Sequence, residues 1–170
     1  KFRDPSAWYH CVWVMDTTES TAADRMKVYV NGNLFYNNSM GLSQNADTPL
    51  NNNSATTIGA YSYNTSHVYR LDAYLAEVNF IDGQAYDPTY FAETNAATGQ
   101  WIPKKYTGSY GTNGFRLTFN DNSGTTATTL GKDSSGNGNN FTPNNFSVSA
   151  NLTNDSMPDT PSNNFCTLNP

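Results

Sequence analysis

The alternation of apolar and polar positions along the chain predicts a series of short β-strands. In residues 7–16, "AWYHCVWVMD", both alternating sets of positions are largely apolar, so we expect a strand that is buried on both faces. Residues 25–36 predict two strands joined at Asn31-Gly32, the dipeptide most typical of a two-residue hairpin turn. Residues 54–63 are β-branched and then aromatic, which favours a further strand.

Two more strands are predicted downstream. Residues 70–82 alternate with a change of phase at Ala76–Glu77, as a β-bulge would produce, and a short helix is the alternative for this segment. Residues 112–121 predict a strand with three inward-facing apolar positions, which are Phe115, Leu117 and Phe119.

One short helix is predicted near residues 87–94. Asp87 can cap its first turn, and Pro88 suits the first helical position because that position needs no backbone N–H. Many short strands, frequent turn signals and one short helix together predict an all-β fold, an antiparallel sandwich.

Composition indicates a folded domain with an aromatic core. The chain has 170 residues, which is the length of one domain. Hydrophobic residues make up 36% of it, and the 11 Tyr, 9 Phe and 3 Trp supply burial that the few aliphatic side chains do not. Only 14% of residues are charged, whereas disordered chains of low hydrophobicity carry high net charge.

Charge and hydropathy exclude two classes of partner. The net charge of −5 leaves no basic stripe to neutralise phosphates, so no nucleic-acid partner is expected. The longest uncharged apolar run is residues 8–15, far short of the roughly 20 residues that a membrane helix needs, so no membrane partner is expected either. Cys11 and Cys166 lie near opposite ends and are compatible with a disulfide, or with Cys11 acting as a small buried apolar residue in its strand.

Residues 131–141, "GKDSSGNGNNF", have the spacing of half a calcium loop. Asp133, Ser135 and Asn137 occupy alternate positions and Gly138 follows them, as in an EF-hand loop. The stretch supplies one carboxylate, and the later position that should be a bidentate Glu is not acidic. A polar Gly/Asn turn is therefore the favoured interpretation. A weak calcium ion, shared with another loop, is the alternative, and no other cofactor is expected.

The sequence does not predict a catalytic residue. Glu77 and Asp82 are the best candidates for a glycosidase acid pair, but on a regular strand they would point to opposite faces. They are better explained as a structural acid and a turn residue. His10 and His67 have no evident nucleophile partner. No Cys/His cluster has the spacing of a zinc site.

Two loops rich in Tyr, Ser, Gly and Asn are candidates for sugar binding. An exposed aromatic ring can stack on a pyranose face while neighbouring amides bond its hydroxyls. The same composition also suits adaptable protein-binding loops, or a cap on the core. The candidate glycan-binding residues are Tyr61, Tyr63, Asn64, His67, Tyr106, Tyr110 and Asn113.

Several motifs resemble laminin-G-like, concanavalin A-like jelly-roll modules. The stretches "WYHCVWVMDTT", "DRMKVYVNG", "TTIGAY" and "AYLAEVNFIDGQAYDPTYFAET", within residues 7–95, resemble the second half of such a module, although the glycine usual before its closing strand is missing. "GFRLTFNDNSG" and "LGKDSSGNGNNFT" resemble the opening of one. The resemblance implies a jelly roll with closing strands in residues 1–110. It also implies an opening segment in residues 111–170, which packs on the same sandwich or starts the next one. The order end-then-start, together with Lys1, implies a segment of a multi-module protein or a rearranged module.

The amino-acid sequence of the chain also resembles the sequences of virion proteins of marine bacteriophages. "FRDPSAWYH", "PKKYTGSYGTNGF" and "DSSGNGNNFTPNNFSV" carry this likeness. It implies a non-enzymatic structural or adhesion module on the particle surface, in a tail fibre or a capsid-surface protein. Its partners would be other virion subunits, further copies of itself and host-surface glycans. The alternatives are a decoration subunit without sugar binding and a polysaccharide depolymerase. The family's glucanase pattern E-x-D-x-x-E is absent, so no catalytic residue is implied.

Overall fold

Short β-strands and turns account for most of the regular structure. A computed structural model of the chain describes residues 6–48, 56–63, 66–149 and 154–157, together with residues 2, 4, 50, 160 and 161. The strands are β1 Cys11–Met15, β2 Met26–Val30, β3 Asn33–Asn37, β4 Tyr61–Tyr63, β5 Ser66–Val68, β6 Val78–Phe80, β7 Ala92–Thr94, β8 Trp101–Pro103 and β9 Phe115–Leu117. Short 3-10 helices span Ala22–Asp24 and Pro88–Tyr90.

All pairings between these strands are antiparallel. The described sheets are β1-β2-β3 and the two-stranded ladders β4-β5, β6-β9 and β7-β8. The predicted all-β, antiparallel class is confirmed, whereas the jelly-roll arrangement stays a prediction. Within the part of the chain that is described, no helix is long and apolar enough to span a membrane.

The chain divides into two units. Unit 1 contains Lys1–Asp47, Gly83–Ser109 and Met157–Pro170, and unit 2 contains Thr48–Asp82 and Tyr110–Ser156. Unit 2 thus joins stretches from both sides of the predicted boundary between residues 110 and 111. In it β9, from the predicted opening segment, pairs with β6, from the predicted closing segment.

The β2–β3 hairpin of unit 1 confirms the turn predicted at Asn31-Gly32. Asn31 has φ of 49° and Gly32 has φ of 78°, and two positive values at these positions define a type I′ turn. The side chain of Trp101 packs directly against this turn, because a Cβ on Gly32 would lie 3.1 Å from its ring. Trp101 Nε1 also donates to His10 Nδ1 at 3.1 Å, which explains His10 as a structural residue. Burial lowers the pKa of His10, in agreement with an accepting, neutral ring.

The prediction that β1 is buried on both faces is wrong at Trp13. The Trp13 side chain is 68% exposed. Tyr36 lies on the same face of the β1-β2-β3 sheet and is 42% exposed as well, so this face is open to solvent at both positions. An uninterrupted apolar run records the preference of each residue for burial but not the number of layers that cover it.

The helix predicted near residues 87–94 is shorter than expected. Asp87 caps it as predicted, because its Oδ1 accepts from Thr89 N at 2.8 Å, and Pro88 occupies its first turn. The helix ends at Tyr90. Residues 92–94 form β7 instead, since pairing with β8 buries Ala92 completely.

The strand predicted over residues 70–82 shortens to Val78–Phe80 in unit 2. Glu77, directly before this strand, has φ of 53°, so the strand begins where the sequence changes phase. The β6–β9 ladder over Val78–Phe80 has no register shift, so the described residues of this ladder contain no bulge. The strand predicted over residues 112–121 shortens to Phe115–Leu117, whose two ends are 7% and 2% exposed. Phe119 has φ of 55° and lies beyond its end.

The core of unit 2 is built on Phe115. Its ring stacks on Phe80 of the neighbouring strand with centroids 5.5 Å apart, and it meets Phe141 edge-on at 4.7 Å. Leu117 and Leu130 are also buried.

Replacing Gly32 by alanine tests the packing of the hairpin turn. A Cβ there meets both a positive φ, which costs about 1–2 kcal/mol, and the Trp101 ring. Gly41→Ala is the matched control, because Gly41 has φ of 77° and nothing within 4 Å of its Cβ position. We expect Gly32→Ala to lower the free energy of unfolding, measured in urea, by about 1 kcal/mol more than the control. Equal losses would contradict the contact with Trp101.

Candidate functional site

The first predicted sugar-binding loop is an antiparallel hairpin in unit 2. Tyr61 pairs with Val68 and Tyr63 with Ser66 across the β4–β5 ladder. Asn64 lies outside the described residues, as do the side chains of Tyr63 and His67, so these three stay predictions. Tyr61 is 58% exposed.

A second tyrosine joins Tyr61 on this hairpin. Tyr69, directly after β5, is 86% exposed, and its ring centroid is 6.4 Å from that of Tyr61 at an interplanar angle of 41°. Its φ of 50° turns the chain where the strand ends. Two adjacent, solvent-facing phenol rings provide apolar faces and hydroxyl groups in one place, which is the chemistry that sugar binding requires.

The second predicted sugar-binding loop is used for internal packing. Tyr106 is 6% exposed, its hydroxyl donates to Ser109 O at 2.9 Å, and its ring packs on Tyr86 and Phe91 in unit 1. Gly108 passes so close to this ring that a Cβ there would collide with the hydroxyl. The prediction of a sugar-stacking ring at Tyr106 is therefore corrected, since the ring has no exposed face and caps the core.

Tyr110 and Asn113 fasten their loop to the end of β6 in unit 2. The Tyr110 hydroxyl donates to Asn79 Oδ1 at 3.0 Å. Burial, with smaller contributions from Glu77 and Asp133 against an opposing one from Arg116, raises the pKa of Tyr110 and keeps that proton in place. Backbone N and side-chain Nδ2 of Asn113 both donate to Asp82 Oδ2 at 3.0 Å. These groups are committed to the fold, which agrees with the alternative that this loop caps the core.

The loop first compared with a calcium site is organised around the buried carboxylate of Asp133, which is 6% exposed. Its Oδ1 accepts from the backbone N–H groups of Arg116 at 2.9 Å and Ser135 at 2.8 Å. Its Oδ2 accepts from Ser135 Oγ at 2.8 Å and Asn139 N at 2.9 Å. Both oxygens are therefore satisfied by the protein itself.

Asn137 and Asn139 of this loop bind the segment before β9. Asn137 Nδ2 donates to Gly111 O at 2.6 Å and to Gly114 O at 2.8 Å. Asn139 Nδ2 donates to Gly114 O at 3.0 Å and to Thr112 O at 3.2 Å. Backbone carbonyls in an irregular segment need such donors when they are buried. The loop is thus a clamp between residues 111–116 and the turn, and we call it the Asp133 clamp.

The hydrogen bonds of the clamp compete with the binding of a cation, and the calcium alternative stays a prediction. A calcium ion would have to displace the donors that Asp133 now holds, and the amide nitrogens of Asn137 and Asn139, rather than oxygens, point at the neighbouring backbone. Gly136 and Gly138 have φ of 98° and 78°, which is the backbone role that the turn interpretation gives them. Among the described residues, no group of three or more His, Cys, Asp or Glu is placed to hold a metal.

The best candidate acids for catalysis also have structural partners. Glu77 forms a bidentate pair with Arg116, whose Nε and Nη2 each lie 3.0 Å from a carboxylate oxygen. Asp82 accepts the two bonds from Asn113 described above. The pairing of Glu77 with Arg116 was not predicted, because Arg116 lies on a strand that is distant in sequence.

The described candidate site is thus the exposed pair Tyr61 and Tyr69, which we call the tyrosine pair. Tyr61 was predicted from the sequence and Tyr69 was not, although the position of Tyr69 directly after "SHV" places it at the end of the same hairpin. No family model, no curated protein and no solved structure matches this chain.

Replacing Asp133 by asparagine tests the clamp. The amide nitrogen of asparagine cannot accept a hydrogen bond, so two of the donors at this position lose their acceptor. We expect the free energy of unfolding to fall by about 2–4 kcal/mol. Asp121→Asn is the matched control, because Asp121 accepts only from the nearby Ser123, and we expect a clearly smaller loss. Equal effects of the two substitutions would contradict the clamp.

Acid should release the same clamp. Burial alone raises the pKa of Asp133, but the hydrogen bonds from Arg116, Ser135 and Asn139 together outweigh it, so the pKa in the folded protein is lowered. The resulting stability is fully present above the unfolded pKa of about 3.9, and is lost as the pH falls through the folded pKa. We expect the wild type to lose more stability than Asp133→Asn below about pH 4, in denaturant titrations at stepped pH. Parallel pH profiles for the two proteins would contradict this expectation.

Proposed function

We propose that this chain is a non-enzymatic structural and adhesion module of a bacteriophage particle, which attaches to host-surface glycans through the tyrosine pair. The observation that carries the glycan part is the exposure of the Tyr61 and Tyr69 rings, 58% and 86%, side by side on one hairpin. A module of this kind belongs on the outer surface of the virion, in a tail fibre or a capsid-surface protein.

The chemistry of the tyrosine pair suits a sugar. A pyranose ring offers an apolar face of C–H groups and a rim of hydroxyls, and tyrosine complements both with one rigid side chain that loses little conformational entropy on binding. The separation of 6.4 Å between the two rings allows both to contact one mono- or disaccharide. Tyr63, Asn64 and His67 stay candidates for further polar contacts with the sugar.

The contacts of the acids support the non-enzymatic part of the proposal. Glycoside hydrolysis needs one carboxyl group free to donate a proton and a second one opposite it. Glu77 is held by Arg116 and Asp82 by Asn113, so both acids already act as hydrogen-bond acceptors within the fold. A depolymerase would need an acid pair from elsewhere.

The resemblance to phage modules and the pairing of β6 with β9 support the jelly-roll part. If residues 111–170 begin a module and residues 1–110 end one, a single sandwich requires strands of the two segments to pair. The ladder between Val78–Phe80 and Phe115–Leu117 is such a pairing. This pairing supports the concanavalin A-like jelly roll that we propose for the module.

A glycan array with the purified protein, run with calcium and again with EDTA, tests the proposed function. We expect binding to a few related glycans that is the same in both conditions, because both oxygens of Asp133 already accept hydrogen bonds within the clamp. Tyr61→Ala and Tyr69→Ala should each lower the affinity at least about tenfold. Tyr74→Ala is the control, since Tyr74 is 61% exposed in the same unit but has no place in the pair.

Three results would contradict parts of this proposal. A clean negative from folded protein would remove the glycan function and leave the decoration subunit, which binds other virion proteins without sugar. Binding that vanishes in EDTA would overturn the structural interpretation of the Asp133 clamp. Unchanged binding by both tyrosine variants would place the sugar site elsewhere.

A further inference from the structure

The outer edge of the β1-β2-β3 sheet carries unpaired backbone groups. Asn31 N donates to His10 O at 2.8 Å, and Asp16 N donates to Arg25 O at 2.9 Å, so even-numbered residues of this strand direct their backbone groups at β2. Successive residues of a strand direct these groups to opposite sides. The odd-numbered residues of β1 therefore direct theirs away from the sheet: Cys11, Trp13 and Met15.

The two edges of this sheet differ in how they are protected. β3 contains a bulge, since the register shifts between Val28 and Tyr29 and leaves Phe35 without a partner. Natural proteins use bulges, prolines and charges to prevent an edge strand from pairing with another chain. β1, "CVWVM", has none of these devices, and within the described ranges no strand pairs with its outer edge.

From this edge we infer that β1 pairs with β1 of a second copy of the chain, antiparallel and with Trp13 opposite Trp13 across a two-fold axis. In this register Cys11 faces Met15 of the second copy, and Met15 faces its Cys11. Each outward-directed residue of one copy then lies opposite an outward-directed residue of the other. The backbone N–H and C=O groups of these residues can therefore form hydrogen bonds between the two copies. The three-stranded sheets of the two copies become one continuous six-stranded sheet.

Side chains on the sheet favour the same register. Trp13 lies opposite Val28, which in turn lies opposite Tyr36, so these three side chains share one face of the sheet. Trp13 is 68% exposed on it and Tyr36 is 42% exposed. In the dimer the two Trp13 side chains become directly opposite neighbours, and aromatic cross-strand pairs stabilise antiparallel sheets.

Charge favours a second copy as the occupant of this edge. The chain has a net charge of −5, which opposes most contacts between copies, but residues 8–15 contain no charged side chain. The nearest charge on β2, Lys27, is paired with Asp24 at 3.2 Å. A two-fold contact uses the same surface on both copies. The β1 strands of two copies related by such an axis run antiparallel, so one edge strand supplies both sides of the contact.

The test is the mass of the protein in solution by sedimentation or light scattering over a concentration series, with no sugar present. We expect the wild type to approach twice the mass of one chain at about 100 μM. Trp13→Lys and Trp13→Glu each place like charges opposite one another at the axis, so each should weaken the dimer at least about tenfold. An equal mixture of the two variants should restore a dimer, because residue 13 of one copy then meets the opposite charge. Phe35→Lys, on the bulged edge, should leave the mass unchanged.

Several outcomes would overturn the inference. A wild type that stays monomeric would do so, as would Trp13→Lys or Trp13→Glu that dimerises as well as the wild type. A mixture that stays monomeric, with both variants folded by circular dichroism, would contradict the register centred on Trp13. The inference does not depend on the glycan function: Tyr61→Ala should still dimerise, and loss of sugar binding alone leaves it intact.

Discussion

One buried carboxylate, that of Asp133, is the constraint on which the polar half of unit 2 depends. A carboxylate can be buried only when hydrogen bonds replace its water, and here the donors come from β9, from the turn and from the residue that ends the turn. The need to satisfy this carboxylate therefore holds the backbone at Arg116, Ser135 and Asn139 around Asp133. With that point fixed, the asparagine amides hold the segment before β9, where Gly114 lies against Tyr110 and Phe80 too closely for any Cβ.

The polar and aromatic residues of the two candidate loops differ in exposure. In the clamp and in the loop at residues 106–113, their hydrogen bonds go to the backbone and to other side chains. At the β4–β5 hairpin, Tyr61 and Tyr69 are 58% and 86% exposed. Both loops are rich in Tyr, Ser and Asn, and exposure tells their tyrosines apart. For that reason Tyr61 and Tyr106 were equal candidates by sequence, whereas in the structure Tyr61 is exposed and Tyr106 is buried.

Local signals predicted the parts of the fold that depend on local chemistry. The Asn31-Gly32 turn, the cap at Asp87 and the Gly/Asn turn after Asp133 are each determined by a few neighbouring residues, and each is present. Strand lengths and strand burial were overestimated, because alternation does not reveal how far a pairing partner extends. The role of Asp133 itself depends on Arg116, which is 17 residues away and on another strand, and no short-range pattern contains that contact.

Asp133 accepts hydrogen bonds from three backbone amides, and a pH titration followed by NMR of the backbone amides tests this arrangement most directly. The amide resonances of Arg116, Ser135 and Asn139 should move together on one titration curve, with a midpoint below the ordinary pKa of an aspartate, about 3.9, because all three donate to one carboxylate. Independent curves, or a midpoint at or above that ordinary value, would contradict the clamp.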